Sequence, residues 1–171
     1  MLVIPYTPAL LRPETARWGI LNRAQFSNVS YGDTAYWSLL YSLWYRRQPS
    51  GDLFIVEHDI VPDDSVYESM QKCSHMWCTS PYQIRADGHQ TRESLGFARF
   101  SIELQYTVPE LLEVVGPSGA ETQADALWSR LDGAITAALR KRGYGPHVHG
   151  ESVHLHDYTD PRTPWVDPYG G

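Results

Sequence analysis

The sequence predicts a single α/β domain with a mainly parallel central sheet flanked by helices. Residues 2–6 form a short apolar run, and residues 53–56 form a continuous one that is typical of a central strand covered on both faces. The second run leads into a helical segment, which gives the strand–helix unit of parallel sheets. An amphipathic pattern over residues 126–142 supplies a helix that covers the sheet.

The length of the chain favours one domain. A chain of about 171 residues buries roughly two-thirds of its unfolded surface, which is enough for a real core. Hydrophobic residues make up 42% and charged residues 20%, so the composition argues against general disorder. We assign residues 1–160 to the domain and predict that the Pro- and Gly-rich residues 161–171 form an irregular tail.

The first third of the chain predicts one strand and two helices. The strand over residues 2–6 is interrupted by proline and ends in a loop. A first helix over residues 16–24 precedes a turn rich in Asn, Ser and Gly. A second helix, capped by Asp33 or Thr34, runs to about residue 47 with a continuous apolar stripe.

The rest of the chain predicts alternating helices and strands. A helix over residues 62–72 opens with Pro at a first-turn position and two aspartates near the positive end of its dipole. Residues 75–79 and 95–100 are predicted strands, separated by a polar loop over residues 85–93, and a short helix follows the second of them. The helix over residues 126–142 ends before a glycine.

The charge of the chain restricts its ligands. Fourteen basic and twenty acidic residues give a net charge of -6, so no basic surface is present to gather phosphate backbones. Nucleic acid is therefore excluded as an expected partner. A phosphate-bearing ligand would need a divalent cation between its negative charge and that of the protein.

The two cysteines and the lack of long apolar runs predict a cytoplasmic protein. Cys73 and Cys78 are too few for a disulfide framework, and no signal peptide opens the sequence. No apolar run approaches the roughly 20 residues that cross a bilayer, so membrane insertion is not expected. The spacing of the cysteines is loose for structural zinc, which favours buried, inert thiols.

The candidate site begins with Glu57, His58 and Asp59, at the carboxyl end of the strand over residues 53–56. Ligands of open α/β sheets bind at this end of the strands. Side-chain alternation places Glu57 and Asp59 on the same side, where both could face one divalent cation or one ribose, and points His58 the other way. The competing interpretation is a solvated acidic turn.

Four of the seven histidines lie within ten residues near the end of the chain. His147 and His149 share one face of an extended segment, and His154 and His156 form a second pair two residues apart. Neutral imidazole binds divalent metals, so we expect at least one of these histidines to be a metal ligand. A solvated or hydrogen-bonded histidine-rich connection is the alternative.

Four segments, residues 3–6, 53–59, 96–101 and 154–157, resemble small glycosyltransferases of the GT-A fold, similar to glycosyltransferase-like proteins of actinobacteria and their phages. The resemblance implies a Rossmann-like domain that binds a nucleoside-diphosphate sugar and transfers the sugar to an unknown protein or glycan acceptor. It also implies a bacterial or phage-infected cell as the setting. A DXD-like acidic motif after a central strand holds the metal in this family, although this sequence has Glu at its first position.

The resemblance also implies roles for particular residues. Asp59 would ligate Mn²⁺ or Mg²⁺, Glu57 would contact the donor or the metal, and His154 or His156 would complete the coordination shell. Pro5 and Tyr6 would lie beneath the nucleotide base. The remaining candidates for donor contact are Asp33, His58 and Gly96.

The sequence leaves the catalytic base and the reaction class open. Glu93 and Glu103 are candidate bases, and neither inversion nor retention of stereochemistry is indicated. A homo-oligomer could complete the acceptor site of so short a chain. Alternatives to a glycosyltransferase are a metal-dependent hydrolase of phosphate esters or nucleotides, a noncatalytic zinc-binding module, and an interaction protein.

Overall fold

The computed structural model describes residues 1–30, 33–45, 49–83, 90–91, 94–117 and 128–155. The strands are β1 (Leu2–Tyr6), β2 (Gln25–Asn28), β3 (Leu53–Val56), β4 (Ile60–Val61), β5 (Trp77–Thr79), β6 (Tyr82–Gln83), β7 (Gln90–Thr91), β8 (Phe97–Phe100), β9 (His147–Val148) and β10 (Val153–His154). The helices are α1 (Pro13–Leu21), α2 (Asp33–Trp44), α3 (Asp64–Gln71), α4 (Ile102–Thr107), α5 (Leu111–Val115) and α6 (Trp128–Lys141).

These elements form one α/β domain around a six-stranded sheet in the order β2-β1-β3-β8-β5-β9. The sheet is mixed, which corrects the expectation of a mainly parallel one. Strand β1 runs parallel to β2 and β3, and β5 runs parallel to β9, but β8 is antiparallel to both of its neighbours. A parallel pair of strands normally needs a helical crossover between them. The described part of the connection from β5 to β8 contains the β6–β7 hairpin and no helix, so β8 runs antiparallel to β5.

Strand β3 separates two apolar cores. Leu53 and Ile55 pack with α2, α5 and α6, whereas Phe54 and Val56 pack with α1 and α3 on the other face. All four residues are buried, which confirms the prediction of a central strand covered on both faces. The helices therefore flank the sheet in two layers, and the carboxyl end of β3 lies between them.

The most strongly patterned helices agree with their predictions. The apolar face of α6 is buried, as the amphipathic pattern predicts: less than 3% of the surface is exposed at Leu131, Ile135 and Leu139. Helix α3 begins at Asp64, two residues after the predicted start at Pro62, because the Asp63 side chain accepts a hydrogen bond from the Ser65 backbone N–H at 2.8 Å and caps the helix. No helix in the described ranges is long and apolar enough to cross a bilayer.

The sequence did not predict the shortest helices and strands. Strand β4 has two residues and α5 has five, too few to show a hydrophobic period. Helix α1 begins at Pro13, earlier than the predicted residue 16, because proline suits the first helical position. The predicted irregular tail, residues 161–171, lies outside the described residues.

Candidate functional site

One edge of the sheet gathers most of the predicted donor-binding residues. Strands β1 and β3 are parallel, so Pro5 and Tyr6 end at the same edge as Glu57. Strand β8 runs the opposite way, which brings Gly96 to this edge, where its carbonyl accepts a hydrogen bond from the Glu57 N–H at 2.8 Å. Asp33 begins α2 after β2 ends at the same edge.

Asp59 and His154 meet at this edge although 95 residues separate them in the chain. Strand β10 pairs antiparallel with β4, which sets His154 opposite Ile60, and the Leu155 N–H donates to the Asp59 carbonyl at 2.8 Å. His154 Nε2 and Asp59 Oδ2 are 3.1 Å apart, and their side chains are only 8% and 19% exposed. Backbone pairing therefore fixes the positions of both side chains.

The hydrogen bonds of His154 determine what can lie between these two atoms. His154 Nδ1 is 2.8 Å from the Gln83 carbonyl oxygen, which only accepts, so Nδ1 carries the hydrogen. In the neutral imidazole, Nε2 then presents a lone pair towards the carboxylate oxygen of Asp59. Two acceptors at this distance require a proton or a metal cation between them.

The charged groups around Asp59 favour its ionised form. Burial acts to raise the pKa of Asp59, but the hydrogen bond with His154 and the charge of His58 outweigh it and hold the pKa below its ordinary value. Burial lowers the pKa of His58 itself, against the opposing effect of Asp59. His58 is buried, and its Nε2 lies 4.0 Å from Asp59 Oδ2.

Two acidic groups, Glu57 and Asp132, act on the same pair of buried tyrosines. Tyr36 is fully buried, and its hydroxyl donates to Glu57 Oε1 at 3.4 Å. Burial, followed by the charges of Glu57 and Asp132, raises the pKa of both Tyr36 and Tyr82. Burial also raises the pKa of Asp132 to about 8, even though its carboxylate accepts a hydrogen bond from the Leu95 N–H at 2.8 Å.

Asp132 was not singled out by sequence reasoning. It lies on α6 next to the buried Leu131, and the only signal is an acid that borders the apolar stripe of an amphipathic helix. Carboxyl groups with strongly raised pKa values are concentrated at functional sites. Asp132 is therefore a further candidate for acid–base chemistry at this edge.

The predicted bases lie elsewhere or outside the described residues. Glu103 is exposed on α4, which follows the carboxyl end of β8. That end of β8 pairs with Leu53 at the start of β3, so Glu103 lies at the edge of the sheet opposite to Glu57. The structure thus does not bring Glu103 to Glu57 and Asp59. Glu93 and His156 fall outside the described ranges.

Gly96 makes room for a neighbouring ring. A Cβ atom at this position would lie 2.2–2.7 Å from atoms of the buried Tyr82 ring. We expect Gly96→Ala to lower the free energy of unfolding by about 1–3 kcal/mol, because overpacking forces the ring to move. Chemical denaturation of both proteins measures this difference.

Gly133→Ala is the matched control for that experiment. Gly133 lies in α6 and its added Cβ would meet open space, so alanine should stabilise the helix by roughly 0.5–1 kcal/mol. Equal effects of the two substitutions would contradict the packing role of Gly96.

A second cluster of side chains lies at the β5–β9 edge. One ligand atom from each of Cys73, Cys78, His147 and His149 can be chosen so that all four lie within 4.8 Å of one another. This group could hold a metal ion, and its sulfur and nitrogen atoms suit zinc better than Mn²⁺ or Mg²⁺. Burial, with Cys73 close by, raises the pKa of the Cys78 thiol to about 12.

A cleft with a volume of about 410 Å³ also lies between α1 and α3. Its wall includes Trp18, whose indole N–H donates to Asp64 Oδ1 at 2.9 Å. Neither Asp59 nor His154 lines it, so we do not place the functional site there.

Comparison with known proteins supports the fold alone. No protein-family model matches the chain, and no curated protein does. The crystal structure of A197, a viral protein from STIV, is similar to this chain with a TM-score of 0.50 and 12% sequence identity, over 92% of this chain and 87% of that one. The chain is thus an α/β protein whose arrangement of elements also occurs in A197.

Proposed function

We propose that the protein is a metal-dependent glycosyltransferase that transfers a sugar from a nucleoside-diphosphate sugar to an acceptor hydroxyl. The observation that carries the proposal is the pairing of Asp59 with His154 at the carboxyl end of β3. This edge is where α/β sheets bind their ligands.

The geometry of this pair suits a divalent cation. Two ligands roughly 2.1 Å from an octahedral ion lie about 3 Å apart, close to the 3.1 Å between Asp59 Oδ2 and His154 Nε2. Because the protein would supply only two ligands, the other coordination positions of the ion would be open to phosphate oxygens and water. Mg²⁺ sites commonly bind nucleotides in this way. Mn²⁺ or Mg²⁺ held by Asp59 and His154 would neutralise charge on the departing diphosphate.

The charge of the protein supports the same proposal. The chain carries a net charge of -6, and Glu57 is a second carboxylate two residues before Asp59 in the chain. A diphosphate would be repelled by these carboxylates unless a cation lay between them. Tyr6 ends the neighbouring strand and offers a ring that could contact the nucleotide base.

The chemistry also needs a base for the acceptor. In an inverting transfer, the acceptor oxygen bonds to the anomeric carbon, the bond to the diphosphate breaks, and the hydroxyl proton passes to the base. Asp132 is our candidate, because a carboxyl with a pKa of about 8 is a much stronger base than an ordinary aspartate.

The proposal predicts stabilisation that depends on nucleotide and metal together. We expect one nucleoside diphosphate of a panel to raise Tm by roughly 5–10 °C in the presence of Mn²⁺, because ligands specific to the folded state stabilise it. Asp59→Asn should abolish the rise. Differential scanning fluorimetry measures it.

Asp63→Asn is the matched control. It removes the same charge four residues away, from an exposed helix cap that asparagine also fills, and should leave the response unchanged. If no nucleoside diphosphate stabilises the wild-type protein with Mn²⁺, the proposal is wrong.

A further inference from the structure

We infer that Cys73, Cys78, His147 and His149 bind a structural zinc ion that holds strand β9 against the end of α3. This site is separate from the Asp59–His154 pair and does not rest on the proposed glycosyltransferase activity. It also gives Cys73 and Cys78 a role as ligands, whereas their spacing in the sequence alone favoured inert thiols.

Distances within the group match a tetrahedral zinc site. Zinc–sulfur bonds of about 2.3 Å and zinc–nitrogen bonds of about 2.0 Å place tetrahedral ligand atoms roughly 3.5 Å apart. Cys73 Sγ lies 3.2 Å from His147 Nδ1, and the four ligand atoms all lie within 4.8 Å of one another. Small side-chain rotations would therefore complete the shell.

Strand pairing brings the ligands to one side of the sheet. Cys78 lies directly opposite His147 in the parallel β5–β9 pair, and the His149 N–H donates to the Thr79 carbonyl at 2.9 Å. Residues two apart on a strand face the same side, so His147 and His149 both lie beside Cys78. Cys73 reaches the same place from the end of α3.

Neighbouring groups already orient His149. Its Nδ1 atom is 2.8 Å from Ser69 Oγ, which can accept the ring hydrogen and leave a lone pair on Nε2. His149 Nε2 is buried and has no hydrogen-bond partner among the described residues. Zinc would bind the lone pair of this nitrogen. Ser69 would accept the hydrogen of the other ring nitrogen, as a neighbouring acceptor does for most metal-bound histidines.

Hydrogen-bond donors also lie beside both sulfur atoms. The His75 backbone N–H donates to Cys73 Sγ at 3.5 Å, and Arg99 Nη1 donates to Cys78 Sγ at 3.5 Å. Burial disfavours the Cys78 thiolate, but these donors and the positive charge of Arg99 oppose that effect, and a bound zinc ion would itself stabilise both thiolates. Two thiolates and two imidazoles close the coordination shell, which is the composition of a structural site.

The first test is the zinc content of the full chain purified under reducing conditions. Elemental analysis should find about one zinc per chain in the wild-type protein and roughly a tenth of that in Cys78→Ser or His149→Asn, because structural zinc needs all four ligands. Chelation should lower Tm by roughly 10 °C, and added zinc should restore it.

His75→Asn is the matched control for the ligand variants. The His75 ring stacks on His147 at 4.3 Å and is exposed, but it is not one of the four ligands, so the zinc content should not change. Asp59→Asn should also keep its zinc, which separates this site from the proposed donor site.

Cobalt substitution in the wild-type chain gives a readout that does not depend on the folding of any variant. Co²⁺ should produce the visible bands of a tetrahedral ion and the near-ultraviolet charge-transfer absorption of cobalt thiolates. An octahedral spectrum without thiolate absorption, or reduced protein that binds no zinc after reconstitution, would overturn the inference. So would a Cys73–Cys78 disulfide in protein freshly purified from cells.

Discussion

The Asp59→Asn variant is expected to turn over a nucleoside-diphosphate sugar about 10³-fold more slowly than the wild-type protein in saturating Mn²⁺, because a bound cation supplies several kcal/mol of charge stabilisation to the leaving group. Asparagine keeps the size of the side chain but loses the charge that binds the cation. Release of the nucleoside diphosphate, with and without a mixture of sugar and protein acceptors, measures this turnover.

Two further variants make this experiment specific. Asp63→Asn should keep wild-type turnover, because Asp63 caps α3 and its side chain is exposed. His154→Gln should need a roughly 10- to 100-fold higher Mn²⁺ concentration for half-maximal turnover, since a metal ligand is weakened. Wild-type turnover by Asp59→Asn would refute the cation site, and release without transfer to any acceptor would favour the hydrolase alternative.

Local sequence patterns predicted those parts of this site that depend on one strand or one helix. The apolar run of β3 fixed the position of Glu57 and Asp59, because a continuously apolar strand must lie inside the sheet and end at one of its edges. The apolar period of α6 likewise predicted its buried face. Both predictions need only the spacing of neighbouring residues.

The contacts between distant segments could not be predicted in this way. Cys78 and His147 meet because a two-residue strand pairs with β5 in one register, and two residues carry no periodic signal. The direction of β8 depends on the hairpin that precedes it, so the sequence indicated a mainly parallel sheet where a mixed one forms. The raised pKa of Asp132 likewise arises only once α6 has packed.

Asp132 should make the protein less stable as the pH rises. Its pKa is near 3.8 in the unfolded chain and about 8 in the fold, so the folded state binds the additional proton between these values. The stability contributed by the protonated carboxyl is complete at low pH and is lost as the pH rises towards 8. From about pH 5.5 to about pH 7.5, this loss amounts to roughly 3 kcal/mol in the free energy of unfolding.

Asp132→Asn isolates this effect from the titration of other groups. Asparagine can still accept the hydrogen bond from the Leu95 N–H through its amide oxygen, but it does not ionise. The groups that face Asp132 include Tyr36 and Tyr82, which stay neutral in this range because their pKa values are raised further. The difference between the two proteins therefore reports Asp132 itself.

Denaturation with guanidinium chloride at several pH values should show Asp132→Asn gaining stability over the wild-type protein as the pH increases. Glu68→Gln, a neutralisation of an exposed acid on α3, should follow the wild-type pH dependence. Parallel curves for wild type and Asp132→Asn would mean that Asp132 is ionised throughout the range. Asp132 would then have an ordinary pKa and would be no stronger a base than any exposed aspartate. It would no longer be our candidate for the base that deprotonates the acceptor hydroxyl.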